Sequence, residues 1–226
     1  MTDGRGESQI TLAEWAGAPI PQVALIFTDI VDSTALLNQI GDKRWVEVLV
    51  KHLNHARGLL KNYDCHEIKF IGDSFMVAFR TPVEALHFAL TLYADTGHPK
   101  VKIRAGIHVG AVRIIDNDLF GGMVNYTARV LAAADEDPLV VSDPAKGQIV
   151  QELGIENREL LFSGMKAKLK GFDDPSKHKL WSVETRKMRH AAEARNRRSW
   201  ERIMRDFNGF VSDLKALRDE AGGERR

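Results

Sequence analysis

Gln22-Val-Ala-Leu-Ile-Phe-Thr-Asp29 and His66-Glu-Ile-Lys-Phe-Ile-Gly-Asp73 are two stretches of the same design. In each, an apolar run of high β-propensity ends in an aspartate, and the ends of strands often carry functional side chains. Two carboxylates on neighbouring strand ends would suit Mg²⁺ or Mn²⁺, which prefer oxygen ligands and are often shared with nucleotide phosphates. The same residues also fit a structural interpretation, with Asp29 as a helix cap and Asp73 in the turn of a Gly-Asp hairpin.

Composition limits the classes of protein that fit. The 226 residues suffice for one domain with an appendage, and 44% of them are hydrophobic, enough to fill a core. The formal net charge of +1 argues against a nucleic-acid-binding surface. Cys65 is the only cysteine, so no internal disulfide forms and a reducing compartment fits. No apolar run reaches membrane-spanning length and the start lacks a signal-peptide core, so we expect a cytoplasmic protein without a membrane partner.

The chain divides into three parts by composition. Residues 1–21 are polar and are expected to form a flexible or loosely docked arm, although Leu12 and Trp15 could pack on the body. Residues 22–184 mix strands, helices and hairpins, which favours an α+β, ferredoxin-like core over an all-parallel sheet. Residues 185–226 begin with a basic run and continue with apolar residues at alternating spacings of three and four. This spacing predicts a C-terminal helix whose apolar face packs on its own domain or on a partner.

Local patterns predict the elements of the central part. Apolar residues at helical spacing indicate a long amphipathic helix over residues 45–60. His52 and His55 lie on or near it without further ligands and are interpreted as structural or solvated. The other expected elements are a hairpin over 67–79, helices over 82–94, 121–134 and 144–153, and strands over 101–109, 111–115, 139–142, 159–168 and 178–184.

Asp32, Ser33 and Thr34 follow the first strand and favour the start of a helix. The first N–H groups of a helix are unpaired and its dipole favours an anion, so this start could bind a phosphate. In the simpler interpretation Ser33 and Thr34 are ordinary caps, and the two interpretations are compatible.

Four motifs together resemble one family. They are FTDIVDST, IKFIGDSFMVAF, RAGIHVGAV and DLFGGMVNYTARV, in this order and at these separations. From Val23 to Val183 the chain resembles the catalytic domain of class III nucleotidyl cyclases. The resemblance implies conversion of a nucleoside triphosphate to a 3′,5′-cyclic nucleotide and pyrophosphate. It also implies a head-to-tail homodimer with two sites, each shared between the subunits.

The resemblance implies a site for two divalent cations, Mg²⁺ or Mn²⁺. Asp29 and Asp73 would hold them, together with the backbone carbonyl of Ile30. One ion would activate the ribose 3′-hydroxyl and the other would neutralise the departing pyrophosphate.

The resemblance also assigns substrate contacts. Lys69 and Asp118, contributed by the second subunit, match the pair that reads the purine in adenylyl cyclases, which favours ATP. Without the resemblance, Lys69 would be a solvent-facing strand lysine and Asp118 a turn residue. The other residues expected around the substrate are Phe27, Ser33, Thr34 and, for the terminal phosphates, Lys170, with Lys166 and Lys168 as competitors.

Asn125 and Arg129 lie one turn apart on a predicted helix and project from the same face. They match the asparagine that orients the ribose and the arginine that stabilises charge on the α-phosphate, a role that suits the fixed donor fork of a guanidinium. Taken alone, they would be an ordinary surface pair.

Some features of the sequence leave alternatives open. Asp32 stands where many relatives have glycine, and His108 of GIHVG is interpreted as a packed strand residue. Phe70 or Tyr126 could make a smaller pocket, as expected of a pyrimidine cyclase that makes cUMP or cCMP in bacterial antiphage defence. A third possibility is that the fold serves as a non-catalytic nucleotide-binding or interaction module.

Overall fold

The computed structural model describes residues 10–134, 138–153, 162–165, 169, 171 and 178–185. The helices are α1 (Leu12–Ala16), α2 (Ser33–Ile40), α3 (Asp42–Leu60), α4 (Pro82–Ala94), α5 (Gly122–Ala132) and α6 (Asp143–Leu153). The strands are β1 (Gln22–Ile30), β2 (Cys65–Ile71), β3 (Ser74–Phe79), β4 (Ile103–Ala111), β5 (Arg113–Ile115), β6 (Asp118–Phe120), β7 (Leu139–Ser142), β8 (Phe162–Met165) and β9 (Leu180–Val183).

A 7-stranded sheet in the order β2-β3-β1-β4-β7-β9-β8 forms the centre of the fold. Its strand pairs are antiparallel except for β4 and β7, which run parallel. Strands β5 and β6 pair separately as a hairpin. The architecture is the α+β, mostly antiparallel sheet flanked by helices that the sequence predicts.

The two faces of the sheet pack against different helices. On one face, alternate residues of β1 and β4 join α3, α4 and α6 in the main core, where Ile26 and Phe88 are fully buried. On the other face, Leu25 packs in a second cluster with side chains from α1 and α5. Since side chains alternate across a strand, Phe27 and Asp29 point to the same face as Leu25.

Several elements differ from the sequence-based expectation. The side chains of Leu12 and Trp15 are 0% and 4% exposed, so this part of the expected loose arm is docked on the body. The interpretation of Asp118 as a turn residue is wrong, because Asp118 begins the short strand β6. The apolar C-terminal helix expected beyond Thr185 lies outside the described residues. Among the helices that the structure describes, none has the length and apolarity needed to cross a membrane.

Candidate active site

Asp29, in strand β1, and Asp73, in the turn before the adjoining strand β3, lie at the same end of the sheet. The register pairs Thr28 of β1 with Phe75 of β3, which puts Asp29 across from Ser74, the residue that follows Asp73. Asp73 itself is half-buried in the turn between β2 and β3. This turn depends on a glycine, because Gly72 adopts a left-handed φ of 66°. The interpretation of Asp73 as a hairpin-turn residue is therefore confirmed. The hairpin also puts Asp73 at the same end of the sheet as Asp29.

The Asp29 carboxylate is held by a guanidinium from the neighbouring strand. Arg104, directly across from Asp29 in β4, donates from Nε to Oδ1 at 3.0 Å and from Nη2 to Oδ2 at 2.7 Å. Its Nη1 donates to the Ala134 carbonyl at 3.1 Å. The Asp29 side chain is 17% exposed, so this partly buried carboxylate already faces a cation.

Sequence reasoning missed Arg104, although a signal was present. It is a charged residue between the apolar Ile103 and Ala105 in the RAGIHVGAV motif. In a strand this alternation turns Arg104 to the face opposite the main core, where Asp29 also points.

The two carboxylates fit a cation that arrives with a phosphate ligand. Within the described residues no cluster of three or more His, Cys, Asp or Glu side chains could hold a metal ion by itself. Mg²⁺ in nucleotide sites is usually bound by one or two carboxylates plus substrate phosphates. The donor set of Asp29 and Asp73 meets that need, and the guanidinium on Asp29 indicates that its oxygens accept a cationic partner.

Helix α2 starts directly after β1. Asp32 occupies its N-cap position, so the interpretation of Ser33 and Thr34 as caps is wrong: they lie in the first turn. Asp32 has a left-handed φ of 52° and makes no side-chain capping bond. Aspartate tolerates this conformation better than most residues, and glycine adopts it without strain. Ser33 is half-buried and Thr34 is exposed in the first turn. The first turn of α2 is therefore accessible to solvent on the side of the Thr34 side chain.

Lys69 and Asp118 meet as an ion pair. Lys69 Nζ on β2 contacts Asp118 Oδ2 on β6, and the side chains are 34% and 30% exposed. The second oxygen, Oδ1, accepts a bond from the backbone N–H of Leu119 at 2.7 Å. The structure thus brings together the two residues that the sequence singled out as a pair.

Asn125 and Arg129 are both exposed on α5. The opposite side of this helix packs closely on β4, where a Cβ added to Gly106 would lie 2.3 Å from the Leu131 backbone nitrogen. Only glycine allows the helix to lie this close to the strand. Asn125 and Arg129 therefore point away from the sheet, into the space outside this subunit.

The aromatic residues considered as pocket-filling groups pack within the subunit. The Tyr126 ring lies 4.4 Å from that of His108, and the Phe70 ring lies 6.4 Å from that of Phe75. His108 Nδ1 is 2.7 Å from Ser142 Oγ, and burial lowers the pKa of His108 to about 4. His108 is a packed strand residue, as expected.

The remaining expected site residues are distributed as follows. Phe27 is half-buried beside the second cluster, and the side chain of Ile30 is 2% exposed at the end of β1. Lys166, Lys168 and Lys170 lie outside the described residues.

Comparisons with known proteins support the resemblance to nucleotidyl cyclases. The adenylate and guanylate cyclase catalytic domain matches residues 16–172. The receptor-type adenylate cyclase GRESAG 4.2 of Trypanosoma brucei brucei is 41% identical over 70 residues, which are 31% of this chain and 12% of that protein. The adenylate cyclase of Lachancea kluyveri is 32% identical over 155 residues, 55% of this chain and 8% of that protein. The chain thus spans a small fraction of the curated relatives it matches.

Solved structures share the fold. The adenylyl cyclase CyaB from P. aeruginosa superposes with a TM-score of 0.61 at 18% identity, covering 73% of this chain and 94% of that one. The guanylyl cyclase Cya2 superposes with a TM-score of 0.60 at 15% identity, covering 73% and 92%. The match of the family over most of the chain, together with this fold, shows that the chain belongs to the adenylate and guanylate cyclase catalytic domain family.

Proposed function

We propose that this chain is a nucleotidyl cyclase that converts ATP to cAMP and pyrophosphate, with two divalent cations at Asp29 and Asp73. The observation that carries the proposal is the position of Asp29, which lies across from the start of β3 and so beside the turn that carries Asp73. Two aspartates with only a structural function would not need to lie at the same end of the sheet as the start of α2 and the Arg104 guanidinium. That combination suits a nucleotide triphosphate.

Each element at this edge has a function in binding the polyphosphate. Asp29 and Asp73 supply oxygen ligands, and the start of α2 offers backbone N–H groups to a phosphate oxygen. Arg104 is already at Asp29 and can turn its donors to phosphate when a cation takes over the carboxylate. Bound cations would lower the pKa of the ribose 3′-hydroxyl and stabilise the negative charge of the leaving pyrophosphate.

The other half of the site faces outwards, which supports a shared site in a homodimer. Asn125 and Arg129 project away from their own sheet, so a nucleotide bound to the carboxylates of a second subunit could reach them. There Asn125 would orient the ribose and Arg129 would stabilise charge on the α-phosphate.

Exposed apolar residues also support a homodimer. Ile71 is 63% exposed beside the turn that carries Asp73, and Ile115 and Phe120 are 50% and 47% exposed on the hairpin that carries Asp118. Exposed apolar residues of this kind are typical of a protein–protein interface. Lys69, Asp73 and Asp118 thus lie on the same two hairpins as the exposed apolar residues.

The polar pair favours adenine. The Asp118 carboxylate accepts from the adenine amino group, and the Lys69 ammonium donates to a ring nitrogen, whereas guanine presents the opposite pattern. Phe70 and Tyr126 pack against Phe75 and His108 of their own subunit, which argues against their filling the base pocket as a pyrimidine cyclase would need. This favours ATP over UTP and CTP.

The test is a product assay with each of the four ribonucleoside triphosphates and Mn²⁺, analysed by mass. We expect cAMP from ATP as the main product. If cUMP or cCMP is the main product, the proposed specificity for adenine is wrong, but the proposed cyclisation reaction stands. If none of the four is cyclised by a folded dimer, the proposal fails and a non-catalytic module becomes the better interpretation.

A further inference from the structure

Helix α1 is too short to be stable by itself. It contains five residues, and isolated helices below about 12 residues are marginal in water. A capping box begins it, in which Thr11 Oγ1 accepts from Glu14 N–H and Glu14 Oε2 accepts from Thr11 N–H. Gly17, at a left-handed φ of 71°, ends it. The burial of Leu12 and Trp15 shows that the helix depends on what it docks against.

One contact of α1 is with the turn that leads into β6. The Leu12 backbone N–H donates to Asn117 Oδ1 at 2.7 Å, across a sequence separation of 105 residues. Asp116 and Asn117 both have left-handed φ angles, 50° and 61°, as the central residues of a type I′ hairpin do. The next residue is Asp118. An unpaired N–H of the first turn of α1 is therefore satisfied by the residue before the proposed base-reading carboxylate.

The other contacts of α1 are with the start of β2 and the end of β3. Trp15 Nε1 donates to Asp64 Oδ1 at 2.6 Å, and its ring lies 6.0 Å from that of His66. The Arg80 guanidinium stacks over the indole at 4.3 Å and donates to the Trp15 carbonyl. Strand β2 continues from this point to Lys69.

We propose that α1 clamps the two segments that carry Lys69 and Asp118, and so sets the selectivity for the base. Leu12 and Asn117 fix the Asp118 side, and Trp15 fixes the Lys69 side. The inference rests on the proposed function, in which Lys69 and Asp118 read adenine. Leu12, Trp15 and Asn117 are positioning residues, since they act through that pair.

Asn117 offers a specific test, because the contribution of its side-chain acceptor can be distinguished from that of its backbone conformation. Asn117→Gly keeps the left-handed turn and removes the acceptor of the Leu12 N–H. Asn117→Asp keeps both the turn preference and an acceptor oxygen. Thr81→Ala is the matched control. It removes a hydrogen bond of similar kind, which the Glu84 N–H donates to Thr81 Oγ1 at 3.2 Å, at the start of α4 on the opposite face of the sheet.

The first readout is amide hydrogen exchange of the full chain, which does not depend on activity. We expect faster exchange over residues 113–120 in Asn117→Gly by about three- to tenfold, the range for loss of one hydrogen bond. Asn117→Asp should restore protection, and Thr81→Ala should leave this hairpin as in the wild type. Equal exchange in Asn117→Gly and the wild type would overturn the clamp.

The second readout is steady-state kinetics with ATP and GTP. Asn117→Gly should raise the KM for ATP about three- to tenfold with little change in kcat, and lower the preference for ATP over GTP. Asn117→Asp should recover both values, and Thr81→Ala should change neither. An active Asn117→Gly enzyme with wild-type KM and selectivity would overturn the proposed role in base reading. If the wild type cyclises no nucleotide, the proposed function fails and hydrogen exchange alone decides on the clamp.

Discussion

Replacing Arg104 with leucine should destabilise the fold and make its stability depend on divalent cations. The substitution removes the guanidinium that donates to both oxygens of Asp29 and leaves that carboxylate, 17% exposed, without its counter-charge. Mn²⁺ can take the place of the guanidinium. We therefore expect Mn²⁺ to stabilise Arg104→Leu more than the wild type.

The size of the effect follows from the partial burial of the pair. Exposed ion pairs contribute about 0–1 kcal/mol, while breaking a buried pair costs about 3–5 kcal/mol. The Arg104 side chain is 31% exposed, which places the pair between these limits. We expect a loss of about 2 kcal/mol in the free energy of unfolding, or a Tm lower by about 4–8 °C.

The assay is thermal unfolding of a double-mutant cycle with Arg104→Leu, Asp29→Asn and the double variant, with and without millimolar Mn²⁺ together with a non-cyclisable ATP analogue. Asp29→Asn should abolish the Mn²⁺ response in either background. Arg57→Leu is the control, because Arg57 makes a similar bidentate ion pair with Glu67 away from the proposed site. Additive losses in the cycle, or an equal Mn²⁺ response in Arg57→Leu and Arg104→Leu, would refute the reasoning.

Three further predictions concern catalysis and pH. Asp73→Ala should lose cyclase turnover while the dimer persists in sedimentation, and retained turnover would remove Asp73 from the metal site. Mixing Asp29→Ala with Arg129→Ala subunits should restore part of the activity, since a hybrid dimer carries one intact site; a verified heterodimer without activity would argue against shared sites. Folded His108 has a pKa of about 4, against 6.5 when unfolded. Below pH 6.5 the unfolded state therefore binds more protons, and the free energy of unfolding decreases as the pH is lowered. This loss, at most about 3 kcal/mol by pH 4, should be absent from the denaturation midpoints of His108→Asn; an unchanged pH slope in that variant would contradict it.

The strand-end aspartates could be predicted because their signal is local. An apolar run followed by a turn residue identifies both a strand and its end, so Asp29 and Asp73 could be placed on strand ends before their partners were known. The long helix α3 follows equally from its apolar spacing. Its observed start at Asp42 differs from the predicted residue 45 because the first turn carries little of the apolar pattern.

The sequence indicates which face of the sheet Arg104 lies on, but its pairing with Asp29 could not be predicted, because the pairing depends on register. Arg104 is 75 residues away in sequence, and only the pairing of β1 with β4 sets them opposite each other. Strand β6 was missed for a different reason: at three residues it is too short for an alternating pattern. Helix α1 is similarly short, and Asn117, which accepts the Leu12 N–H, comes from a distant turn.

The central claim is that Asp29 and Asp73 together hold the cations that a nucleotide brings. Titration of the dimer with Mn²⁺ in the presence of a non-cyclisable ATP analogue, followed by electron paramagnetic resonance of free Mn²⁺, tests this directly. We predict two Mn²⁺ bound for each bound analogue in the wild type, and loss of this stoichiometry in both Asp29→Asn and Asp73→Asn. Wild-type Mn²⁺ binding in either variant would contradict the account.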